Sequence, residues 1–423
     1  MEEILKVLVV GSGGREHAII KKLSNSERVS QLFCAPGNGG ISDMAICTDI
    51  KVTDLEGMKK FAEHEKINLV FVASDDPLAL GMVDMFQECG IRAFGPNKAA
   101  AIIESSKAFS KNLMKKYDIP TASYEAFTDM DKAIEYLESI KMPVAVKADG
   151  LALGKGAIMA HTLYEAKSAV QSMMKDKKFG TSGDTVIIEE YLVGREVTVL
   201  AFSDGKIVVP MISSQDHKRA YDNDEGLNTG GMGAIAPSRL YTGELPDICM
   251  ETIFKPTITA MAAEGRPFKG VIYFELMITE KGPKVIEYNA RFGDPEAQVV
   301  LPLLKNDLMD VVDAILLEKL SEIEIEWSDK AAACVVMASG GYPVTYTKGY
   351  EIFGIDKAND LDDTFVYHAG TKKDGNKYLT NGGRVLGVTA VGDDLDKALD
   401  KAYSAVNKIR FTDAHYRKDI GRI

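Results

Sequence analysis

The 423-residue sequence contains no run of 18 apolar residues, so it offers no helix able to cross a bilayer. Its start, Met1-Glu2-Glu3-Ile4-Leu5-Lys6, has neither a basic region nor a small-residue cleavage site, and no signal peptide is read. Cysteine is sparse: Cys34, Cys47, Cys89, Cys249 and Cys334 are scattered, odd in number and free of any Cys-x-x-Cys pair. Reduced thiols and a cytoplasmic location are the expectation. Positive charge is in deficit too, 50 Lys and Arg against 62 Asp and Glu, a formal −12. A sequence-independent nucleic-acid binder needs the opposite balance, so neither nucleic acid nor membrane is an expected partner. Small anionic substrates stay open, because a few local cations or a helix N-terminus hold a phosphate whatever the net charge. No internal repeat or low-complexity tract is present.

What is there is the composition of a globular chain, 46% hydrophobic and 26% charged, long enough for roughly two to four domains. Residues 4–102 alternate short apolar runs with helical stretches; Ile4–Val10, Leu69–Ala73 and Arg92–Phe94 read as strands of a parallel sheet. A turn at Gly95-Pro96-Asn97 precedes an expected helix from Lys98 to Tyr117. The pattern then becomes strand Val144–Lys147, glycine loop Gly150–Gly156, returning strand Ala157–Ala160, helix Leu163–Met174 and strand Thr185–Glu189. Two strands around a tight glycine loop make a hairpin. Val197–Phe202, Ile207–Met211, Val271–Ile278 and Lys284–Tyr288 add antiparallel strands, and 329–423 reads as a small α/β tail. The expected fold is therefore α/β and α+β in three domains, at 1–102, 103–328 and 329–423.

Two glycine clusters near the start invite an anion. Gly11-Ser12-Gly13-Gly14-Arg15-Glu16-His17 follows a strand, but Glu16 stands where a dinucleotide fingerprint needs its third glycine, which disfavours an NAD-dependent dehydrogenase. Pro36-Gly37-Asn38-Gly39-Gly40 could form a nest of backbone N–H groups or an ordinary surface turn. Lys147-Ala148-Asp149-Gly150-Leu151-Ala152-Leu153-Gly154-Lys155-Gly156 places one lysine at a strand end and another in a glycine loop. Cations and a closely approaching backbone suit a triphosphate, without the spacing of a Walker A loop. Ile187-Ile188-Glu189-Glu190-Tyr191-Leu192 leaves a strand into a linker whose main chain can meet an adenine edge, and Glu196 lies within reach of ribose hydroxyls. The most specific pattern is Glu287-Tyr288-Asn289-Ala290-Arg291-Phe292-Gly293-Asp294. Glu287 and Asn289, two apart on a strand, share a face. A carboxylate and an amide oxygen there suit Mg2+ or Mn2+ bridging ATP phosphates. Arg291 can stabilise charge developing in phosphoryl transfer. Glu275 lies on the preceding strand, and a return near Lys281-Gly282-Pro283 would set it beside Glu287 as a second metal ligand.

Together these segments resemble the phosphoribosylamine–glycine ligase family, the glycinamide ribonucleotide synthetases of purine biosynthesis, over nearly the whole chain. Gln215-Asp216-His217-Lys218-Arg219, Asn228–Gly233, Ala338–Pro343, His368–Thr371 and Gly382–Gly387 belong to the match. The resemblance implies an N-terminal α/β domain, an ATP-grasp core with a mobile lid at about 123–190, and a small C-terminal domain. It implies that Lys107, Lys147, Lys155 and Gly156 meet ATP phosphates, that Glu189, Glu190, Tyr191 and Leu192 form the adenine hinge, and that Glu196 accepts from ribose. Glu287 and Asn289 would hold the metal, and Gly13, Asn38, Gly39, Asp216, Arg291 and Asp294 would bind substrate. ATP would phosphorylate glycine, and phosphoribosylamine would attack the glycyl phosphate. Arg291 and Lys147 carry the catalytic expectation. No protein nucleophile is required, so Cys34 and the histidines need no catalytic role, and His217 is read as binding or structural. The partners implied are ATP, glycine and phosphoribosylamine, with a monomeric, stand-alone enzyme expected.

The chain departs from the family pattern twice. Ala73-Ser74-Asp75-Asp76-Pro77-Leu78 replaces the common Gly-Pro-Glu-x-Pro-Leu, so Asp75 reaches one methylene less far. Glu275 stands where glycine is usual, twelve positions before Glu287. Rival readings are another ATP-grasp carboxylate ligase or carboxylase with a different acceptor, and a nucleotide-sensing protein without turnover.

Overall fold

The computed structural model describes residues 4–151 and 156–422. Its N-terminal unit is an all-parallel sheet in the order Ile46–Cys47, Val29–Pro36, Leu5–Gly11, Leu69–Val72, Arg92–Phe94. The chain reverses direction across the sheet at the central strand Leu5–Gly11, and ligands in such sheets gather beyond the carboxyl ends at that switch point. Leu5, Val7, Leu8, Val9 and Val10 are all fully buried, the near-continuous apolar run of a strand covered on both faces.

The expected helix from Lys98 to Tyr117 is two helices, Lys98–Ser105 and Lys107–Lys116. Ser106 leaves helical geometry and caps the second, its side chain accepting from the Phe109 N–H. Asp149 accepts from the Ala108 N–H at 2.8 Å, so the new helix start is tied to the glycine-loop hairpin. The break matters because it puts Lys107 on the first turn, facing that hairpin.

A four-stranded antiparallel sheet, in the order Tyr124–Phe127, Val186–Glu190, Val144–Ala148, Ala157–Ala160, makes up the segment expected as the lid, together with helices Met130–Ser139 and Leu163–Met174. The hairpin read from the sequence is present as Val144–Ala148 against Ala157–Ala160. Lys155 lies outside the described residues.

A second antiparallel sheet runs Val208–Pro210, Arg195–Asp204, Lys269–Thr279, Gly282–Asn289. The third runs Gln215–Asp216, Gly233–Ala236, Ala331–Ala338, Arg384–Gly392, Thr364–His368. Two strands from the middle of the chain thus join the sheet built by its C-terminal part. Leu395–Val406 packs its apolar face, including Ala398, Leu399 and Ala402, onto this sheet. Among the described residues no helix is long and apolar enough to cross a membrane.

Candidate active site

The four sheets converge on one cleft with two adjoining lobes of about 470 and 530 Å3. Lys147, Glu196, Asp216 and Lys218 line both lobes. Glu189 Oε1, Asp216 Oδ1 and Arg291 Nε, all buried in this cleft, have no hydrogen-bond partner among the described residues. Buried groups of this kind are costly unless something pairs with them, so their concentration in one cleft points to a polar ligand.

The larger lobe is bordered by Glu189, Glu190, Tyr191 and Leu192. Glu189 sits inside the lid sheet between Tyr124 and Ala145 of its neighbours, so its main chain belongs to the ladder. The hinge expectation for its backbone therefore shifts to Tyr191 and Leu192, which lie past the strand, while Glu189 offers its carboxylate. Glu189 Oε2 meets Lys147 Nζ and Lys111 Nζ, each at 3.0 Å. Burial pulls the Lys111 ammonium down to about 8 with Lys147 adding repulsion, although Glu189 opposes both. Burial acts the same way on Lys147, but Glu189 and Glu287 outweigh it and the net direction is up. Glu190 turns aside, bound by Lys284 at 3.2 Å and the Ser123 N–H at 3.2 Å.

The other lobe holds the strongest sequence pattern. The pairing of Lys269–Thr279 with Gly282–Asn289 sets Glu275 opposite Glu287, then slips by one residue so that Leu276 pairs with Val285. The bulge leaves Ile286 without a ladder partner, its carbonyl accepting instead from Lys147 Nζ at 3.4 Å, and Ile286 and Glu287 both line the cleft. Burial pushes the Glu287 carboxyl up, yet Lys107, Lys147, Lys218 and Arg291 together bring it below the ordinary range. Asn289 Oδ1 accepts from Arg291 Nη2 at 3.0 Å, and the same guanidinium pairs with Glu104 at 2.9 Å. Among the described residues no three His, Cys, Asp or Glu side chains form a metal cage. A carboxylate and an amide oxygen on one strand instead fit a hard cation that completes its shell with phosphate oxygens and water. Glu275 is beside Glu287 as expected, but its Oε1 is taken by the Lys218 ammonium. Burial raises the Glu275 carboxyl to about 7, with Lys218 opposing and Glu287 and Glu196 adding to it.

Lys107 lines this lobe and donates to the Gly150 carbonyl at 3.3 Å, and Gly156 lines it from the far side of the hairpin. Asp216 and Asp294 border it as well. Asp294 accepts from Gln298 at 2.8 Å and from the Arg15 N–H at 3.3 Å, and pairs with Arg384 at 3.4 Å. Asp75 faces the same corner, where Arg291 and Arg15 overcome burial and hold its carboxyl below the usual value.

The first glycine clusters are different. The Gly13 N–H donates to Glu16 at 2.6 Å, so the chain's own carboxylate occupies the expected anion donor. Asn38 donates to the Ser12 and His368 carbonyls and accepts from the Gly40 and Ile41 N–H groups, while the Gly39 N–H donates to the Thr371 carbonyl. Neither Asn38 nor Gly39 lines the cleft; they fasten the N-terminal sheet to the C-terminal one. The N–H groups of Gly37, Gly39 and Gly40 are thus spent within the protein, which favours the turn over the nest of the two readings of this loop. The reverse omission is Arg15, Glu104, Lys111, Lys218 and Arg384, all of which serve the cleft without having been singled out. Lys111 carried a local signal, lying four residues after Lys107 on one helix face, and Arg15, Lys218 and Arg384 lie inside motifs given above.

Comparison with known proteins gives the family. Residues 5–104, 105–297 and 332–423 match the models of the phosphoribosylglycinamide synthetase N domain, ATP-grasp (A) domain and C domain. The chain belongs to the phosphoribosylglycinamide synthetase family. A phosphoribosylamine–glycine ligase of Caldanaerobacter subterraneus is 48% identical over 98% of this chain and 99% of its own. A crystal structure of phosphoribosylamine–glycine ligase from Thermotoga maritima superposes with a TM-score of 0.84 at 30% identity, over 98% of this chain and 100% of that one. The biotin carboxylase domain of a Hydrogenobacter thermophilus 2-oxoglutarate carboxylase shares the fold alone, with a TM-score of 0.75 at 16% identity over 98% and 92% of the two chains.

Around the cleft of this family member, buried histidines seam the domains. His217 Nε2 accepts from the Gly421 N–H at 3.0 Å, and burial, reinforced by Arg417, lowers its ring to about 4. A protonated ring would lose that acceptor. A depressed folded value means the stabilisation is present above the unfolded value near 6.5 and is lost as pH falls towards 4. Unfolding free energy measured in urea is expected to be about 2 kcal/mol lower at pH 5 than at pH 7 on account of His217. His217→Gln should flatten that slope.

Proposed function

We propose that this chain joins glycine to 5-phosphoribosylamine, consuming ATP and giving glycinamide ribonucleotide, ADP and phosphate. The observation that carries the reading is that two cations, Lys107 and Lys147, and two oxygen donors, Glu287 and Asn289, line one lobe together with Arg291. Family membership supports the choice of substrates.

Lys107 and Lys147 bind and orient the triphosphate. Tyr191 and Leu192 border the adenine, Glu189 Oε1 is an open acceptor there, and Glu196 is placed for ribose. Glu287 and Asn289 would hold Mg2+ or Mn2+, which supplies charge neutralisation on the phosphates. The glycine carboxylate attacks the γ-phosphorus and ADP leaves. The phosphoribosylamine nitrogen then attacks the acyl carbon and phosphate departs, a far better leaving group than oxide. Arg291 faces the charge that builds on the transferring group. Asp216, on the third sheet and with a buried Oδ1 unpartnered among the described residues, and Asp294, in the loop after Asn289, are the substrate contacts. The domain borders at 102 and 328, a monomeric state and a cytoplasmic location belong to the same proposal.

Glycine labelled with 18O in its carboxylate tests the route. One label is expected in the released phosphate; phosphate free of label would remove the glycyl phosphate.

Glu275 is read as a second metal ligand that must first leave Lys218. Its replacement by alanine is expected to raise the Mg2+ concentration giving half-maximal turnover. An unchanged metal dependence would sink that role.

A further inference from the structure

Lys111 is 2% exposed, and its ammonium is held by Thr121 Oγ1 at 2.7 Å and Glu189 Oε2 at 3.0 Å. Thr121 in turn donates to the Val285 carbonyl at 2.7 Å, so Lys111 is anchored to the strand that leads into Glu287. Lys147 Nζ reaches the same Glu189 oxygen at 3.0 Å, while Glu189 Oε1 has no partner among the described residues. One carboxylate balances one buried ammonium, and Lys147 alone would satisfy Glu189. Burying a second ammonium carries a desolvation cost that charge balance does not require.

What the second cation changes is the grip of Glu189 on Lys147. With two ammonium groups on one oxygen the cluster keeps a net charge of one cation, facing the lobe where Lys147 and Lys107 lie. With Lys111 absent, Glu189 and Lys147 form a neutral pair. The carboxylate is then free to turn both oxygens to Lys147 and draw it from the cleft.

We propose that Lys111 is a positioning residue for nucleotide binding: it shares Glu189 so that Lys147 keeps its charge and its place for the phosphates. The inference rests on the ATP reading given above. It concerns a residue that does not itself line the cleft, since Lys107 and Lys147, not Lys111, border it.

The test is a double-mutant cycle on Lys111→Met and Glu189→Gln in the full chain. The readout is the Kd for a non-hydrolysable ATP analogue by calorimetry, with Tm recorded alongside. Lys111→Met is expected to weaken the analogue about tenfold, on the order of one lost ionic contact, with the KM for glycine unchanged. In the Glu189→Gln background the same substitution should add less than twofold, because Lys111 then has no carboxylate to share. A merely structural lysine would shift Tm and weaken binding equally in both backgrounds, and that result overturns the proposal. So does a Lys111→Met protein that binds the analogue within twofold of the parent. Thr121→Val loosens Lys111 without emptying its site; it should weaken the analogue in the parent background only, and serves if Lys111→Met folds poorly. A parent protein with no affinity for the analogue is a separate result and would remove the ATP reading itself.

Discussion

Replacing Arg291 with methionine is expected to cost turnover and stability together, and Glu104→Gln in the same chain to return only the stability. The guanidinium pairs with Glu104 Oε1 at 2.9 Å and bonds Asn289 Oδ1 at 3.0 Å. Glu104 is buried, and burial already raises its carboxyl with Arg291 as the chief opposing charge. Removing the partner leaves an uncompensated buried carboxylate, a loss of about 3–5 kcal/mol. Neutralising Glu104 relieves that term while its remaining oxygen still accepts from the Ala290 N–H, a bond of 2.7 Å. Turnover should fall on the order of 10^3-fold in both the single and double variants, since nothing replaces a cation aimed at the transferring phosphoryl group. Denaturant unfolding and saturating-substrate kinetics separate the two effects. If Glu104→Gln restores turnover as well, Arg291 is a structural residue.

Glu287→Ala is the second large effect, and its signature lies in nucleotide binding. Glu287 stands among Lys107, Lys147, Lys218 and Arg291, whose combined field keeps it ionised despite burial. For a metal-free nucleotide this carboxylate is repulsive, so its removal should leave ATP-analogue binding in EDTA unchanged or tighter. With Mg2+ the sign reverses, because a hard oxygen donor has been lost. The affinity gained on adding Mg2+ should shrink, and turnover should fall on the order of 10^3-fold. Binding that weakens equally with and without metal would make Glu287 a structural neighbour of the lysines.

The sequence carried those parts of the molecule whose chemistry is local. A buried parallel strand shows as an unbroken apolar run at Val7–Val10, and a hairpin shows as two apolar segments around Gly150–Gly156. Glu287 and Asn289 share a face because of strand periodicity, and that survives folding even though a bulge at Ile286 shifts the register. The unread parts depend on contacts between distant segments. Glu104, Lys218 and Arg384 carry no individual signal in the sequence; they serve the cleft only because four sheets meet there. The Pro36–Gly40 loop shows the converse. Its glycines promise free N–H groups, but sequence alone does not say whether a ligand or the chain's own acceptors, here the Gly11 and Thr371 carbonyls and the Asn38 side chain, take them. The helix break at Ser106 lay between: serine before a helical run is a cap signal, obscured by the apolar pattern continuing on both sides.

The most direct measurement of the central claim is phosphate release from ATP with Mg2+, adding glycine and freshly generated phosphoribosylamine separately and together. Release that requires both, with glycinamide ribonucleotide appearing in the mass spectrum, is the result expected from this cleft. Release with another acid in place of glycine, or none with both substrates present, would contradict the assigned reaction while leaving the ATP-grasp fold intact.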